Sequence, residues 1–388
     1  MNSESLQHGV FASAGLALLA ALSMAPAARA QGFGPWSQPV NLNNIVLSDQ
    51  THCPAVVNSS SDDQHPAISK DGLSLYFSSN RPGGLGDLDL WVVKRDSTDD
   101  CWKAETLRNL GSVVNSSAED VAPNLSTDGH WLFFHSKRDG GCYSGTVREL
   151  WVTHRRDADE DFGEFGWAAP THLGCAMDNG FGINQANSDN AGPAPFEDES
   201  GNLFLYFTRS LTPNNAALAD IYVSTCAADL GTCNTLGGWG TGSKVDSLSS
   251  PFRDTRMAIR RRDGLEMIIS TGRPGSLGSE NLWVSTRATT MDDWLPPVPV
   301  NCEWKDNVSA IQDSRVPPVS CPDWAPLDPP GTPSTATVFV NSNFFDGGPA
   351  LSWDGTELYF FSERTDLTGF AGGRDLYVAK RTKRSRSD

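Results

Sequence analysis

Carboxylates recur along this chain at long, regular intervals, each just ahead of a short apolar run. Asp62-Asp63, Glu119-Asp120, Asp189-Asn190, Asp254 and Asp346 form the series, and His65 and Arg256 are its members of another chemical type. Gathered around one concavity, such like charges would focus a negative potential that attracts a cation or a hydrogen-bonding ligand. Two of them about 5–9.5 Å apart, beside a sugar-sized pocket, would be the machinery of glycoside hydrolysis. Scattered, they would cap loop amides and face water. The candidate ligand ring is therefore Asp63, His65, Asp120, Asp189, Asn190, Asp254, Arg256 and Asp346.

Other chemistry is poorly represented. The chain has no Gly-x-Ser-x-Gly elbow, no His-Glu-x-x-His, no phosphate-cradling Gly-x-x-x-x-Gly-Lys and no dinucleotide fingerprint. Asp157 to Asp161 with Glu164 looks calcium-like, but Gly163 and Ala168 fall at the wrong places for an EF-hand loop. No metal ligands or catalytic residues are assigned on these grounds. A divalent cation held by the acidic ring is the one cofactor the pattern leaves open.

The elements that must position these groups are repeats. Residues 65–95, 122–155, 192–225, 256–287 and 348–381 share one grammar. A short apolar strand ends in an Asp-Gly type turn, an alternating strand such as Leu75-Tyr76-Phe77 follows, and a Gly/Pro-rich loop leads to acidic-Leu-Trp-Val. Asp-Gly between alternating apolar runs is a strong hairpin signal. A fourth strand is expected to start at Trp102, Trp167, Trp239 and Trp294, and once more, ahead of the first repeat, at Trp36. The last repeat lacks its own tryptophan strand, so the N-terminal one is free to complete it and to remove the exposed edges. The prediction is an all-β fold: a single five-bladed β-propeller of four-stranded antiparallel blades over residues 31–381, closed by the N-terminal strand pairing into the last blade.

The repeats resemble the TolB-type, WD-like propeller family. Its pattern P-x-[apolar]-S-x-D-G-x-x-[apolar]-[YF]-F-x-S-x-R…D-[LI]-[YW]-V is matched at residues 66–95, 123–155 and 349–381, while the third copy has Phe196 for Ser and the fourth has Arg256-Met257 where Pro is expected. The resemblance implies a fold, not an activity, because such propellers serve as partner platforms, peptidase lids and lyase scaffolds. Within each blade, the loop arginines Arg81, Arg138, Arg209, Arg273 and Arg364 are expected to pair with the acids before the third strand, at Asp89, Glu149, Asp220 and Asp375, with Glu280-Asn281 in the fourth copy.

Composition bounds the setting. The net charge of −17 excludes a nucleic-acid or anionic-membrane partner, which would need Lys and Arg. Residues 1–30 read as a signal peptide, with an apolar run over 10–25 and Ala28-Arg29-Ala30 as the cleavage signature. No later stretch is apolar enough to span a bilayer, residues 382–388 read as a basic flexible tail, and residues 301–345 as a loop insertion with Trp304 and Trp324. Eight cysteines in an exported chain read as disulfides. Cys226 with Cys233, Cys302 with Cys321 and Cys142 with Cys175 are the expected pairs, while Cys53 and Cys101 fall on opposite faces of the predicted topology. The resulting expectation is a secreted or periplasmic, monomeric, non-catalytic binding module that presents a loop-rich face to a protein or cell-envelope glycan. The alternative is a carbohydrate-active enzyme, glycoside hydrolase or lyase, with axial carboxylates.

Overall fold

The computed structural model describes residues 32–143, 145–175, 182–235, 238–300 and 340–384. Among them, the chain enters with β1 (Val40–Asn41) and then lays down four complete sheets. The first holds β2 (Asp63–Ile68), β3 (Ser74–Ser79), β4 (Asp89–Lys94) and β5 (Arg108–Asn109), and the second β6 (Asp120–Leu125), β7 (Trp131–Ser136), β8 (Glu149–His154) and β9 (Thr171–His172). The third holds β10 (Asp189–Glu197), β11 (Leu203–Ser210), β12 (Ala219–Cys226) and β13 (Ser243–Lys244). The fourth holds β14 (Asp254–Ile259), β15 (Glu266–Thr271), β16 (Asn281–Thr286) and β17 (Val298–Pro299). The last three strands, β18 (Asp346–Leu351), β19 (Glu357–Ser362) and β20 (Asp375–Lys380), are joined by β1, with Val40 opposite Val378 and Asn41 opposite Tyr377. The fold is a five-bladed, all-β propeller of four-stranded antiparallel sheets, closed by the N-terminal strand.

No blade has a core of its own. The alternation of strands such as Leu75-Tyr76-Phe77 sends side chains to both faces, so each face packs against the neighbouring blade and five separate apolar layers result. At the closure, Phe77 and Trp91 of the first blade meet Tyr359, Phe361 and Val378 of the last. Phe77 and Phe361 are both fully buried, and each such side chain contributes about 1.5–3 kcal/mol of burial.

An arginine at the end of the third strand locks four blades from outside. Arg95, Arg155, Arg287 and Arg381 each donate through Nε to the carbonyl of the turn glycine, at 2.7–2.9 Å. Each guanidinium also lies over the blade's tryptophan, at 4.1–4.5 Å from the rings of Trp102, Trp167, Trp294 and Trp36. The tryptophans therefore do not begin the outer strands, as expected from sequence. They precede them by several residues, because the indole is anchored under its arginine before the chain turns up to pair.

Among the described residues there are three disulfides: Cys53–Cys101, Cys142–Cys175 and Cys226–Cys233. The first corrects the expectation that its cysteines lie apart. The connection from Asn41 to Asp63 makes its own excursion, pinned by the Val46–His52 bridge and by Cys53 N–H donating to the Ile45 carbonyl, and this brings Cys53 to Cys101. Cys302 and Cys321 lie outside the described residues, as do residues 1–30, most of the 301–345 insertion, and 385–388. The basic tail is held further than expected, since Thr382 and Arg384 hydrogen-bond to Gly34 and Gly32 and Lys383 reaches Asp354 at 2.6 Å. No described helix is long and apolar enough to cross a membrane.

Candidate functional site

The inner strands β2, β6, β10, β14 and β18 surround the axis, and their first residues decide what faces it. In the first blade Asp62 precedes the strand, Asp63 opens it and Gln64 follows; successive side chains on an extended strand point to opposite sides. Asp63, Asp120, Asp254 and Asp346 are fully buried and turn away from the axis. Each binds the loop arginine of its own blade, respectively Arg81, Arg138, Arg273 and Arg364. Each also accepts from the amide and hydroxyl of a serine four residues earlier. In the third blade Asn190 takes this place, accepting from Arg209 Nε at 2.8 Å.

Just inside, every inner strand carries a bulge. The register slips between Gln64 and Ala67, Val121 and Asn124, Ala191 and Ala194, Thr255 and Met257, and Gly347 and Ala350. At each slip one residue takes a positive φ: His65 (52°), Ala122 (58°), Gly192 (56°), Arg256 (36°) and Gly348 (57°). The exposed bulge amide is caught by the preceding blade. Ala122 donates to Ser78 Oγ at 3.0 Å, Gly192 to His135 Nδ1 at 3.4 Å, Arg256 to Thr208 Oγ1 at 3.2 Å and Gly348 to Ser270 Oγ at 3.0 Å. At the closure Phe361 fills that column and packs edge-on against the His65 ring at 4.9 Å. Glycine accepts this backbone freely, whereas alanine, histidine and arginine each bring a Cβ into it and are strained. Such strain is concentrated at functional sites.

Above this ring the axis opens into a cavity of about 220 Å³, and a narrower space of about 20 Å³ continues below it. The charged lining is Glu119, Asp189 and Glu280 with Arg148, Arg253, Arg256 and Arg374, and His65 and His135 complete it. Arg148 joins two of the acids, standing 2.6 Å from Glu119 and 3.5 Å from Asp189. Asp189 also accepts the amides of Arg148 and Asn214 at 2.9 and 2.7 Å. Glu280 is nearly sealed from bulk water at 2% exposure. Its Oε1 accepts from Thr255 Oγ1. Its Oε2 lies 3.1 Å from Arg253 Nε in a misaligned contact that leaves both atoms without a hydrogen bond.

Burial sets the protonation of the lining. It pushes the Glu280 carboxyl up from its ordinary value against the opposing pull of Arg253. It pushes both imidazoles well down, and the nearby Arg256 adds to the effect, so His65 and His135 are neutral. Arg256 itself is lowered to about 9 by burial and by the neighbouring charges of Arg148 and Arg253.

Of the predicted ring, His65, Asp189 and Arg256 line the cavity. Asp63, Asp120, Asn190, Asp254 and Asp346 do not: they lie one residue out of phase, and a one-residue step reverses the direction of a strand side chain. The loop arginines are corrected with them. They pair with these inner-strand acids, while Asp89, Glu149 and Asp375 accept loop amides instead. A divalent cation does not fit the site either, because Arg148 occupies two of the carboxylates and Arg253 faces the third. The calcium-like run is structural, with Asp161 buried against Arg155 at 2.8 Å and Lys94 at 2.7 Å. His172 lies 3.6 Å from Cys142 Sγ, but that sulfur and Cys175 are consumed by their disulfide. The reading from sequence passed over Arg148, Arg253 and Arg374, gave Glu280 an intrablade role and took His135 for a loop or core histidine. The available signal was departure from the repeat: Leu88, Arg148, Ala219, Glu280 and Arg374 share one position at the entry to the third strand, which holds four residue types in five blades.

A closed ring with a charged cavity on its axis defines the class: a five-bladed β-propeller with an axial site. No protein-family model matches the sequence, and no curated protein matches it. Among solved structures the chain is similar to a thermostable family-43 glycoside hydrolase, at 14% identity over 87% of this chain and 95% of that one, with a TM-score of 0.48. It is also similar to an alpha-L-arabinofuranosidase from Lactobacillus brevis (15%, 88% and 96%, TM-score 0.49) and to an endo-arabinase from Bacteroides thetaiotaomicron (13%, 90% and 99%, TM-score 0.45). Likeness of this degree says nothing of substrate. The expectation of a non-catalytic module presenting a loop-rich face is nonetheless corrected. The charged and polar chemistry of this chain is gathered in a cavity on the axis and not on a loop-rich face.

Proposed function

We propose that the chain is a carbohydrate-active enzyme, a glycoside hydrolase whose site is the axial cavity. The observation that carries the reading is Glu280: a carboxyl at 2% exposure, raised by burial, with one oxygen unbonded, in a concave site that holds further carboxylates. A carboxyl whose proton is held more tightly through burial is suited to donate that proton to a glycosidic oxygen. Glu119 supplies the second carboxylate, since its side chain keeps 19% exposure while that of Asp189 keeps 5% and is spent on backbone amides. Arg148 orients both. Water or the carboxylate itself then completes the displacement, as the separation of the two groups dictates.

Three disulfides and the export-type N-terminal segment support a secreted or periplasmic setting, and the repeat pattern supports kinship of fold with TolB-type propellers. The proposed ligand is a glycan and the proposed working unit a monomer. The test is release of reducing ends from arabinan, xylan, pectate, alginate and carrageenan by the purified chain. Cleavage of one polymer, abolished in Glu280→Gln and Glu119→Gln, is the expected result. Cleavage unaffected by both substitutions, or none of any polymer, overturns the assignment.

A further inference from the structure

Charge pairing within the cavity leaves one cation over. Arg148 is matched by Glu119 and Asp189, Arg253 faces Glu280, and Arg374 reaches Glu363 at 3.0 Å and the Gln64 side-chain oxygen at 2.9 Å. Arg256 has no such partner: among the described residues its guanidinium makes no hydrogen bond or ion pair, and its Nε is shut off from water. This residue also sits in a strained backbone conformation where two of the other four blades use glycine. A cation inside a protein without an ion pair is destabilising, and the carboxylates nearest Arg256, Glu280 and Glu119, act on it only at a distance and face Arg253 and Arg148. Room has been made for it, because a Cβ on Gly192 would come within 2.8 Å of Arg256 Cδ.

We infer that the cavity takes a saccharide bearing an anionic group, a uronate carboxylate or a sulfate ester, and that Arg256 receives the anion. The inference rests on the reading of the cavity as a carbohydrate site and names the class of sugar. The guanidinium fork presents paired N–H donors that match two oxygens of such a group. Neutral His65 and His135 flank it without adding charge. The anion would complete the charge balance that the protein leaves open, and the attraction is stronger in a half-buried cavity than in open water.

Calorimetric titration of the full chain tests this with three oligosaccharides: trigalacturonate, a κ-carrageenan tetrasaccharide and neutral β-1,4-galactotriose. One of the two anionic probes is expected to bind at least tenfold more tightly than the neutral one, which also tells carboxylate from sulfate. Arg256→Gln is expected to erase that preference, and Arg262→Gln, the same change of charge at an exposed position, to preserve it. If Arg256→Gln does not fold, Gly192→Ala, which crowds the guanidinium but keeps its charge, is expected to lower the same affinity. Equal binding of all three, binding of none, or a preference that survives Arg256→Gln overturns the inference. Hydrolysis of neutral polymers with no preference for charge sinks this inference alone. Anion binding through Arg256 without cleavage of any polymer sinks the hydrolase reading alone.

Discussion

Gly192 and Arg256 occupy the same bulge position in neighbouring blades, and the arginine lies so close over the glycine that a Cβ there would be 2.8 Å from its Cδ and 2.9 Å from a guanidinium nitrogen. Gly192→Ala must therefore displace the guanidinium or the backbone. The expected outcome is a loss of ligand affinity of about tenfold or more, with about 1 kcal/mol of lost stability from alanine at positive φ. Titration and urea denaturation of the same variant separate the two effects.

Arg256→Gly is expected to move in the opposite direction on stability. It relieves the positive φ, which costs a non-glycine residue about 1–2 kcal/mol, and removes an enclosed charge. The variant should melt higher than the parent while losing the site, as expected where function is held against stability. A lower melting temperature would show that the guanidinium has a structural partner.

Glu280→Gln is expected to lower the hydrolytic rate by about 10²–10⁴-fold, the usual share of a general acid. The parent's rate should fall as pH rises past the elevated Glu280 value, because only the protonated carboxyl donates. A pH–rate profile with that limb intact in Glu280→Gln would assign the proton to another group.

Asp346→Ala tests the architectural ring. Asp346 and Arg364 are both fully buried and 3.0 Å apart, and removing one partner of a buried pair costs about 3–5 kcal/mol. Denaturant unfolding should show that loss, whereas Asp99→Ala, at an exposed turn, should cost far less.

His135→Ser restores the hydroxyl that Ser78 and Ser270 supply in other blades. Burial holds the folded His135 neutral, well below its ordinary 6.5. Below that pH the unfolded chain takes up a proton that the folded one refuses, so stability is lost as pH falls. The parent should lose about 1.4 kcal/mol per pH unit relative to His135→Ser between pH 6.5 and the folded value. Equal pH dependence in both proteins, by denaturation at pH 7.5 and 5.5, would refute the assignment.

The blades were legible in the linear chain because their determinants are local. Asp71-Gly72 makes its own turn, with Asp71 accepting the Leu73 amide at 2.9 Å, and the alternation over Leu75-Tyr76-Phe77 needs only its own strand. Even the closure by the segment after Trp36 followed from a repeat that lacked its last strand. The axial site was not legible in the same way. Which acid of Asp62-Asp63 or Glu119-Asp120 faces the axis depends on a single step of strand phase, and the bulge amide of Arg256 is satisfied by the preceding blade, not by its own. Glu280 and Arg148 stand just before third strands, where no local pattern says that they reach the axis. Turn and strand propensities act over a few residues, whereas the charge balance of the cavity is a sum over all five blades, and only the closed tertiary structure performs that sum.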